Sequence, residues 1–143
     1  MRINRIALNG FRNYDFETAD FSPGTNVIYG ENAQGKTNLL EAIWLLTGGK
    51  SFRGGKDAEL VRRGEPFAVL KASTLRAQQE EQEKEEPNRV RLTVGAPDSP
   101  RPGRTVSVNG GAVKRAASLA GSFPAVVFDP GHLSLVKGCL LYT

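Results

Sequence analysis

The sequence is poor in the residues that build disulfides, metal sites and membrane helices. It contains one cysteine, one histidine and one methionine among 143 residues. A single cysteine, Cys139, excludes an internal disulfide framework and suits a reducing cytoplasm. The lone histidine, His132, has no cysteine or second histidine with which to share a metal, so we expect a surface residue there. No run of 18 apolar residues occurs, and no membrane span is expected.

The N-terminal residues indicate where the protein is located, and the charge distribution indicates a solvated insertion and the kind of partner. The first residues are charged and alternating, without the apolar core of a secretory signal, so we expect a cytoplasmic protein. The net charge is +4. Residues 77–88 hold five glutamates and one lysine, which predicts a solvated acidic insertion, either disordered or loosely helical. The remaining chain is basic, which fits either an anionic partner or simple solubility.

One motif organises the chain. Residues 30–37 read G-x-x-x-x-G-K-T, the phosphate-binding P-loop pattern. Residues 25–29 favour a buried strand before it. A helix is predicted after it, because apolar residues recur at helical spacing: Leu39, Leu40, Ile43 and Leu46. The alternative is a glycine turn between strand and helix that happens to end in Lys-Thr.

The motif assigns a role to each of its fixed positions. Gly30 and Gly35 allow the backbone to approach a polyphosphate that a Cβ would obstruct. The N–H groups of the loop and of the helix N-terminus face the phosphates. Lys36 is expected to reach the β- and γ-phosphates, and the hydroxyl of Thr37 to bind Mg²⁺. A nucleoside triphosphate is therefore the predicted ligand, without a preference for one base.

The first 30 residues predict a small antiparallel β unit that leads into the P-loop strand, and further strands follow the P-loop helix. Strands are expected at 2–8, 66–75, 90–94 and 125–128, the last buried on both faces. The dipeptides at 9–10 and 109–110 are both Asn-Gly, a strong hairpin signal. Short helices are predicted from Asp57 and over residues 114–121. The predicted class is α/β, although not a plain doubly wound sheet.

Several stretches beyond the P-loop are distinctive in combination. They are IALNGFRNY at 6–14, GENAQGKTNLLEAI at 30–43, KSFR at 50–53 with ELVR at 59–62, VNG at 108–110 and VFDPGHLSLVKG at 127–138. In this order they resemble the bacterial RecF family of recombination-mediator ATPases. The resemblance covers residues 1–138 apart from the acidic insertion.

This resemblance implies the N-terminal part of an ABC-type, SMC-like P-loop ATPase head. Such heads dimerise with ATP between the subunits. The family helps load recombinase onto gapped DNA, together with RecO and RecR partners, in recombinational and replication-gap repair. Two other P-loop classes remain as alternatives: an SMC-like nuclease-associated ATPase and an ABC transporter ATPase.

The resemblance also transfers site residues by position. Those expected around the nucleotide and Mg²⁺ are Gly30, Asn32, Ala33, Gly35, Lys36, Thr37 and Asn38, with Arg12 and Asn13 from an early loop. Arg53 and Lys56 lie on a glycine-rich loop and are expected either to meet DNA phosphates or the partner's nucleotide, or to be solvated. Asp129 stands where such heads place a loop that senses Mg²⁺ and the γ-phosphate, but that role usually belongs to a glutamine, and an aspartate here is more often a helix cap.

Two catalytic elements of such heads are missing from the sequence. Neither a Ser-Gly-Gly-like motif nor an apolar strand ending in Asp-Glu is found, so no catalytic residue is assigned. We expect an N-terminal portion of a longer head that binds Mg·ATP weakly at best and does not turn it over. Residues 139–143 are interpreted as a non-native tail, with an authentic short C-terminus as the alternative.

Overall fold

The structure is a computed structural model that describes residues 2–75, 87–121 and 123–128. Its centre is one antiparallel sheet with the strand order β2-β1-β3-β4-β5-β6. The strands are β1 (Arg2–Phe11), β2 (Tyr14–Asp20), β3 (Phe67–Leu75), β4 (Asn88–Gly95), β5 (Gly103–Val108) and β6 (Gly111–Val113). The helices are α1 (Lys36–Leu45) and two 3₁₀ helices, η1 (Asp57–Leu60) and η2 (Ala116–Gly121). No helix in these ranges is long and apolar enough to cross a membrane.

The sheet buries one face and leaves the other to solvent. Alternate residues of β3 and β4 point into the core, because side chains alternate along a strand. Helix α1, η1 and η2 complete that core from the same side. The core residues on the sheet are Ile6, Leu8, Phe11, Ala68, Leu70, Ala72, Val90, Leu92, Val94 and Val106, and those on the helical side include Ala42, Leu45, Leu46, Leu60 and Leu119. The α/β class and the antiparallel unit were therefore predicted correctly.

The first hairpin turns three residues later than predicted. Strand β1 continues through Asn9 and Gly10 to Phe11, and Arg12 and Asn13 form the turn. Gly10 has φ of 59°, and a Cβ on it would lie 2.5 Å from the Phe67 carbonyl oxygen. Gly10 therefore allows β3 to lie close to β1. The predicted turn at Asn9-Gly10 is wrong.

Several other local predictions are confirmed. Asn109 and Gly110 both have positive φ and join β5 to β6 in a two-residue hairpin. The strands predicted at 66–75 and 90–94 are β3 and β4. The short helices predicted from Asp57 and over 114–121 exist as single 3₁₀ segments.

Two predicted buried strands are not formed. Residues 25–29 and 125–128 have no strand assignment, and Val27 and Tyr29 are 77% and 89% exposed. Val126 and Phe128 are equally open to solvent, at 80% and 87%. The physical reason is pairing: within the described ranges, no strand of the sheet lies beside either segment. Without a neighbouring strand, a β-favouring segment gains neither inter-strand hydrogen bonds nor burial of its side chains.

Some predictions fall outside the described residues. The acidic insertion at 77–88 overlaps residues 76–86, and only its last two residues, Pro87 and Asn88, lie in the described part. Asp129, His132 and the tail at 139–143 also lie outside it.

Candidate nucleotide-binding site

The P-loop is a glycine loop that opens directly into α1. Gly30, Ala33 and Gly35 have positive φ values of 152°, 65° and 98°. Gly35 is the N-cap residue of α1, and in the part of the chain that the structure describes no side chain accepts a hydrogen bond at this helix end. The N–H groups of the first turn therefore have no side-chain acceptor, and together with the helix dipole they favour a bound anion.

Lys36 lies folded over this loop. Its Nζ donates to the Gly30 carbonyl oxygen at 2.7 Å and also to the Glu31 carbonyl oxygen. The ammonium group is thus held where the loop curves, and it brings a positive charge to the concave side of the backbone. Thr37, the next residue, is exposed. The donors and the hydroxyl that a P-loop offers to a Mg·nucleotide are at this end of α1.

The turn between β1 and β2 packs against the end of the P-loop. The Tyr14 hydroxyl donates to the Gly35 carbonyl oxygen at 3.0 Å. A Cβ on Gly35 would lie 2.8 Å from that hydroxyl oxygen and 3.0 Å from Asn13 Nδ2. Burial raises the pKa of Tyr14, and the Glu17 carboxylate raises it further, so the hydroxyl stays protonated and able to donate. Gly35 is therefore required both by its φ and by the space beside it.

Asn38 joins two loops to the helix. Its Nδ2 donates to Asn13 Oδ1 at 2.6 Å, and its Oδ1 accepts from Arg53 Nη1 at 2.6 Å. The structure thus brings Asn13 and Arg53 to the first turn of α1, next to Lys36 and Thr37. Lys56 is exposed before η1, and among the described residues no hydrogen bond or ion pair joins it to the P-loop.

Arg12 reaches the same helix through a residue that sequence reasoning missed. Its guanidinium donates to both carboxylate oxygens of Glu41, at 3.0 and 2.7 Å, and its Nη1 donates to the Glu59 carbonyl oxygen at 3.0 Å. The nitrogens Nε, Nη1 and Nη2 of Arg12 all have protein acceptors. The predicted contact of Arg12 with nucleotide stays a prediction, and in this structure Arg12 ties the β1–β2 turn to α1.

Glu41 is the buried centre of this cluster. Its side chain is 0% exposed, the Ser51 hydroxyl donates to it at 2.5 Å, and Arg53 Nη1 lies 3.6 Å away. Burial by itself raises the pKa of Glu41, but hydrogen bonds from Arg12 and Ser51 and the charges of Arg12 and Arg53 outweigh it. The net pKa is lower than its ordinary value. In the sequence, the only indication of this cluster is that Glu41 lies among the apolar residues of α1.

The remaining predicted residues lie on the loop itself. Asn32 and Ala33 are exposed, between Gly30 and Gly35. A glycine loop with left-handed residues, followed by an uncapped helix that begins Lys-Thr beside an antiparallel sheet, defines a P-loop nucleotide-binding domain. The chain belongs to the family described as the RecF/RecN/SMC N terminal domain, which matches residues 2–136. The predicted recognition and fold class are thereby confirmed.

Curated relatives and solved structures agree with this assignment. The chain is 38% identical over 138 residues to the DNA replication and repair protein RecF of Symbiobacterium thermophilum and 41% identical to that of Heliobacterium modesticaldum. Each match covers 96% of this chain and 34% of the relative, so the chain spans about a third of the length of the relatives it matches.

Two solved structures show the same fold. The recombination mediator protein RecF with ATP, from the RecFOR pathway, is 32% identical with a TM-score of 0.77, covering 94% of this chain and 34% of that one. A structure from work on ATP-driven dimerization and DNA-stimulated activation of SMC ATPases is 22% identical with a TM-score of 0.75. It covers 94% of this chain and 90% of that chain, and it supports the fold alone.

Proposed function

We propose that this domain binds ATP with Mg²⁺ at its P-loop and belongs to a protein of DNA repair, replication and recombination. The observation that carries the proposal is the uncapped start of α1 with Lys36 folded over the loop. The RecF names of the relatives and the ATP in a similar structure support it.

Each residue of the site has a role in this proposal. The backbone N–H groups of the loop and of the first helical turn bind phosphate oxygens, and the hydroxyl of Thr37 binds Mg²⁺. Lys36 exchanges its two carbonyl acceptors for phosphate oxygens, which are stronger acceptors because they are charged. Asn38 holds Asn13 and Arg53 beside the phosphates, so that occupancy of the site is communicated to both loops.

The activity of the whole protein is part of the same proposal. We infer an ATP-dependent homodimer that binds DNA, works with RecR- and RecO-type partners and helps load recombinase onto gapped DNA in the cytoplasm. Because ATP in such an assembly lies between two subunits, nucleotide binding acts as a switch for dimerisation. The similarity to RecF proteins supports these functions, which concern more of the protein than the third that this chain spans.

The direct test is nucleotide binding by the chain as it stands. Fluorescent ATP with Mg²⁺ should bind, and Lys36→Ala should weaken it by about 10- to 100-fold, since a charged hydrogen bond contributes about 1.5–3 kcal/mol. Lys50→Ala is the matched control, because Lys50 is exposed and lies after α1. Equal loss in both variants, or none in either, would contradict a P-loop site.

A further inference from the structure

The charged residues on the solvent face of the sheet are all basic, except on the edge strand β2. Strands β1, β3, β4, β5 and β6 contain no aspartate or glutamate, although the chain has 15 acidic residues. Every acidic residue of the sheet lies on the edge strand β2. Because side chains alternate between the two faces along each strand, the position of each basic residue decides whether it faces outward.

The strand register places four cations together on that outward face. Lys71 on β3 is directly opposite Arg91 on β4, and Ser73 is opposite both Arg89 on one side and Arg5 on the other. All four cations are exposed, and the residues that flank Lys71 and Arg91 along their strands are buried. A shallow groove of about 320 Å³ runs between them, and its lining combines the four cations and two serines with Ala7, Ala72, Val90 and Gly110. We call these four cations the basic sheet face.

This arrangement is unfavourable for the protein alone. Like charges directly opposite each other on neighbouring strands destabilise a sheet. Of these four cations, Arg5 alone has an ion pair within the described residues, with Asp20 at 3.5 Å. Lys71, Arg89 and Arg91 therefore keep their positive charge exposed to solvent, and an anionic partner would relieve their mutual repulsion.

We propose that the basic sheet face is a docking surface for the phosphate backbone of DNA, with Lys71 and Arg91 at its centre. The proposal rests on the proposed function in DNA repair and assigns the contact to a different surface from the loop of Arg53 and Lys56. The basic sheet face contacts the phosphates, and no base-specific contact is required.

The spacing and chemistry of the face favour nucleic acid over an acidic protein. Residues two apart on a strand are about 6.6 Å apart and neighbouring strands about 4.8 Å apart, so the cations form a grid rather than a single pocket. A hydroxyl group accompanies them, since Ser107 pairs with Arg91 in the register, whereas the Ser73 hydroxyl donates to Asn4 Oδ1 at 2.6 Å. Serines and basic residues are the usual donors to phosphate, whereas protein interfaces have an apolar, charge-depleted centre.

Duplex DNA of about 20 base pairs is the probe, titrated by fluorescence anisotropy at several salt concentrations. Lys71→Gln with Arg91→Gln should weaken binding by about tenfold and lower the slope of log K against log salt by about 2, because each phosphate contact contributes about 0.9 to that slope. Lys114→Gln with Arg115→Gln is the control, since both residues are exposed, follow β6 and change the net charge equally. Thermal melting verifies that each variant is folded.

The outcomes separate this inference from the proposed function. If the unaltered chain binds no DNA at low salt, the DNA-binding part of the proposed function fails, and this inference fails with it. If the unaltered chain binds DNA but both double variants behave alike, only the basic sheet face is overturned. A polyglutamate peptide that depends on Lys71 and Arg91 while DNA does not would reassign the face to an acidic protein and also overturn the proposal.

Discussion

Arg12 and Glu41 form a two-point ion pair between a hairpin turn and the middle of the P-loop helix. The two donors of Arg12 lie 3.0 and 2.7 Å from the two carboxylate oxygens. Arg12 has φ of 54°, in the left-handed region that non-glycine residues seldom adopt. The ion pair therefore compensates a strained turn residue and fixes the turn that carries Asn13 and Tyr14 against the P-loop.

We predict that Glu41→Gln destabilises the domain strongly. The substitution leaves the guanidinium of Arg12, 17% exposed, without its anionic partner, and breaking a buried pair costs about 3–5 kcal/mol. The free energy of unfolding in urea measures the effect. Glu65→Gln makes the same chemical change at an exposed position and should alter stability by less than about 0.5 kcal/mol. Similar values for the two variants would show that the ion pair contributes little.

Stability should also depend on pH through Glu41. Its pKa in the folded protein is below the ordinary value of 4.5, so between those two values the unfolded chain binds more protons than the folded one. The stabilisation is complete above the unfolded pKa and is lost as the pH falls through the folded pKa. The free energy of unfolding of the unaltered chain should therefore fall more steeply below about pH 4.5 than that of Glu41→Gln.

An NMR titration of the Glu41 carboxyl carbon tests the same point without a variant. The expected midpoint is below 4.5, and a midpoint at or above 4.5 would contradict the ion-pair account.

The sequence predicted those features that depend on neighbouring residues. The P-loop, the period-2 strands β3 and β4, and the Asn109-Gly110 hairpin are all encoded within a few positions. Segments 25–29 and 125–128 were misjudged because strand formation needs a partner strand, and a local apolar run does not reveal whether one is present. The cluster around Glu41 escaped prediction for a related reason: Arg12 is 29 residues away, and the pairing follows from the folded sheet and helix.

The space beside Gly35 gives a prediction that links stability to binding. Gly35 and Gly54 both have positive φ, 98° and 74°, but a Cβ meets Tyr14 and Asn13 at Gly35 and nothing within 4 Å at Gly54. Each alanine substitution carries the backbone cost of about 1–2 kcal/mol. Gly35→Ala should cost more than Gly54→Ala in urea unfolding and should also weaken binding of fluorescent ATP. Equal stabilities and equal affinities would mean that the hairpin turn moves aside freely.

A second fork-like contact holds η1 to the sheet. Arg104 on β5 donates to both carboxylate oxygens of Asp57 at 2.7 Å and to the Gly49 carbonyl oxygen at 2.6 Å. Since Gly49 and Asp57 flank the loop that carries Arg53, this contact closes that loop at both ends. Lysine keeps the charge but has no planar pair of donors.

Arg104→Lys should therefore lower the free energy of unfolding by about 1–2 kcal/mol, because at least one charged hydrogen bond is lost. Arg101→Lys, on an exposed turn, provides the matched control and should be nearly neutral. Because Arg53 binds Asn38 from this loop, Arg104→Lys should also increase hydrogen exchange at residues 50–56. Unchanged exchange together with reduced stability would locate the effect of Arg104 in the sheet rather than in the loop.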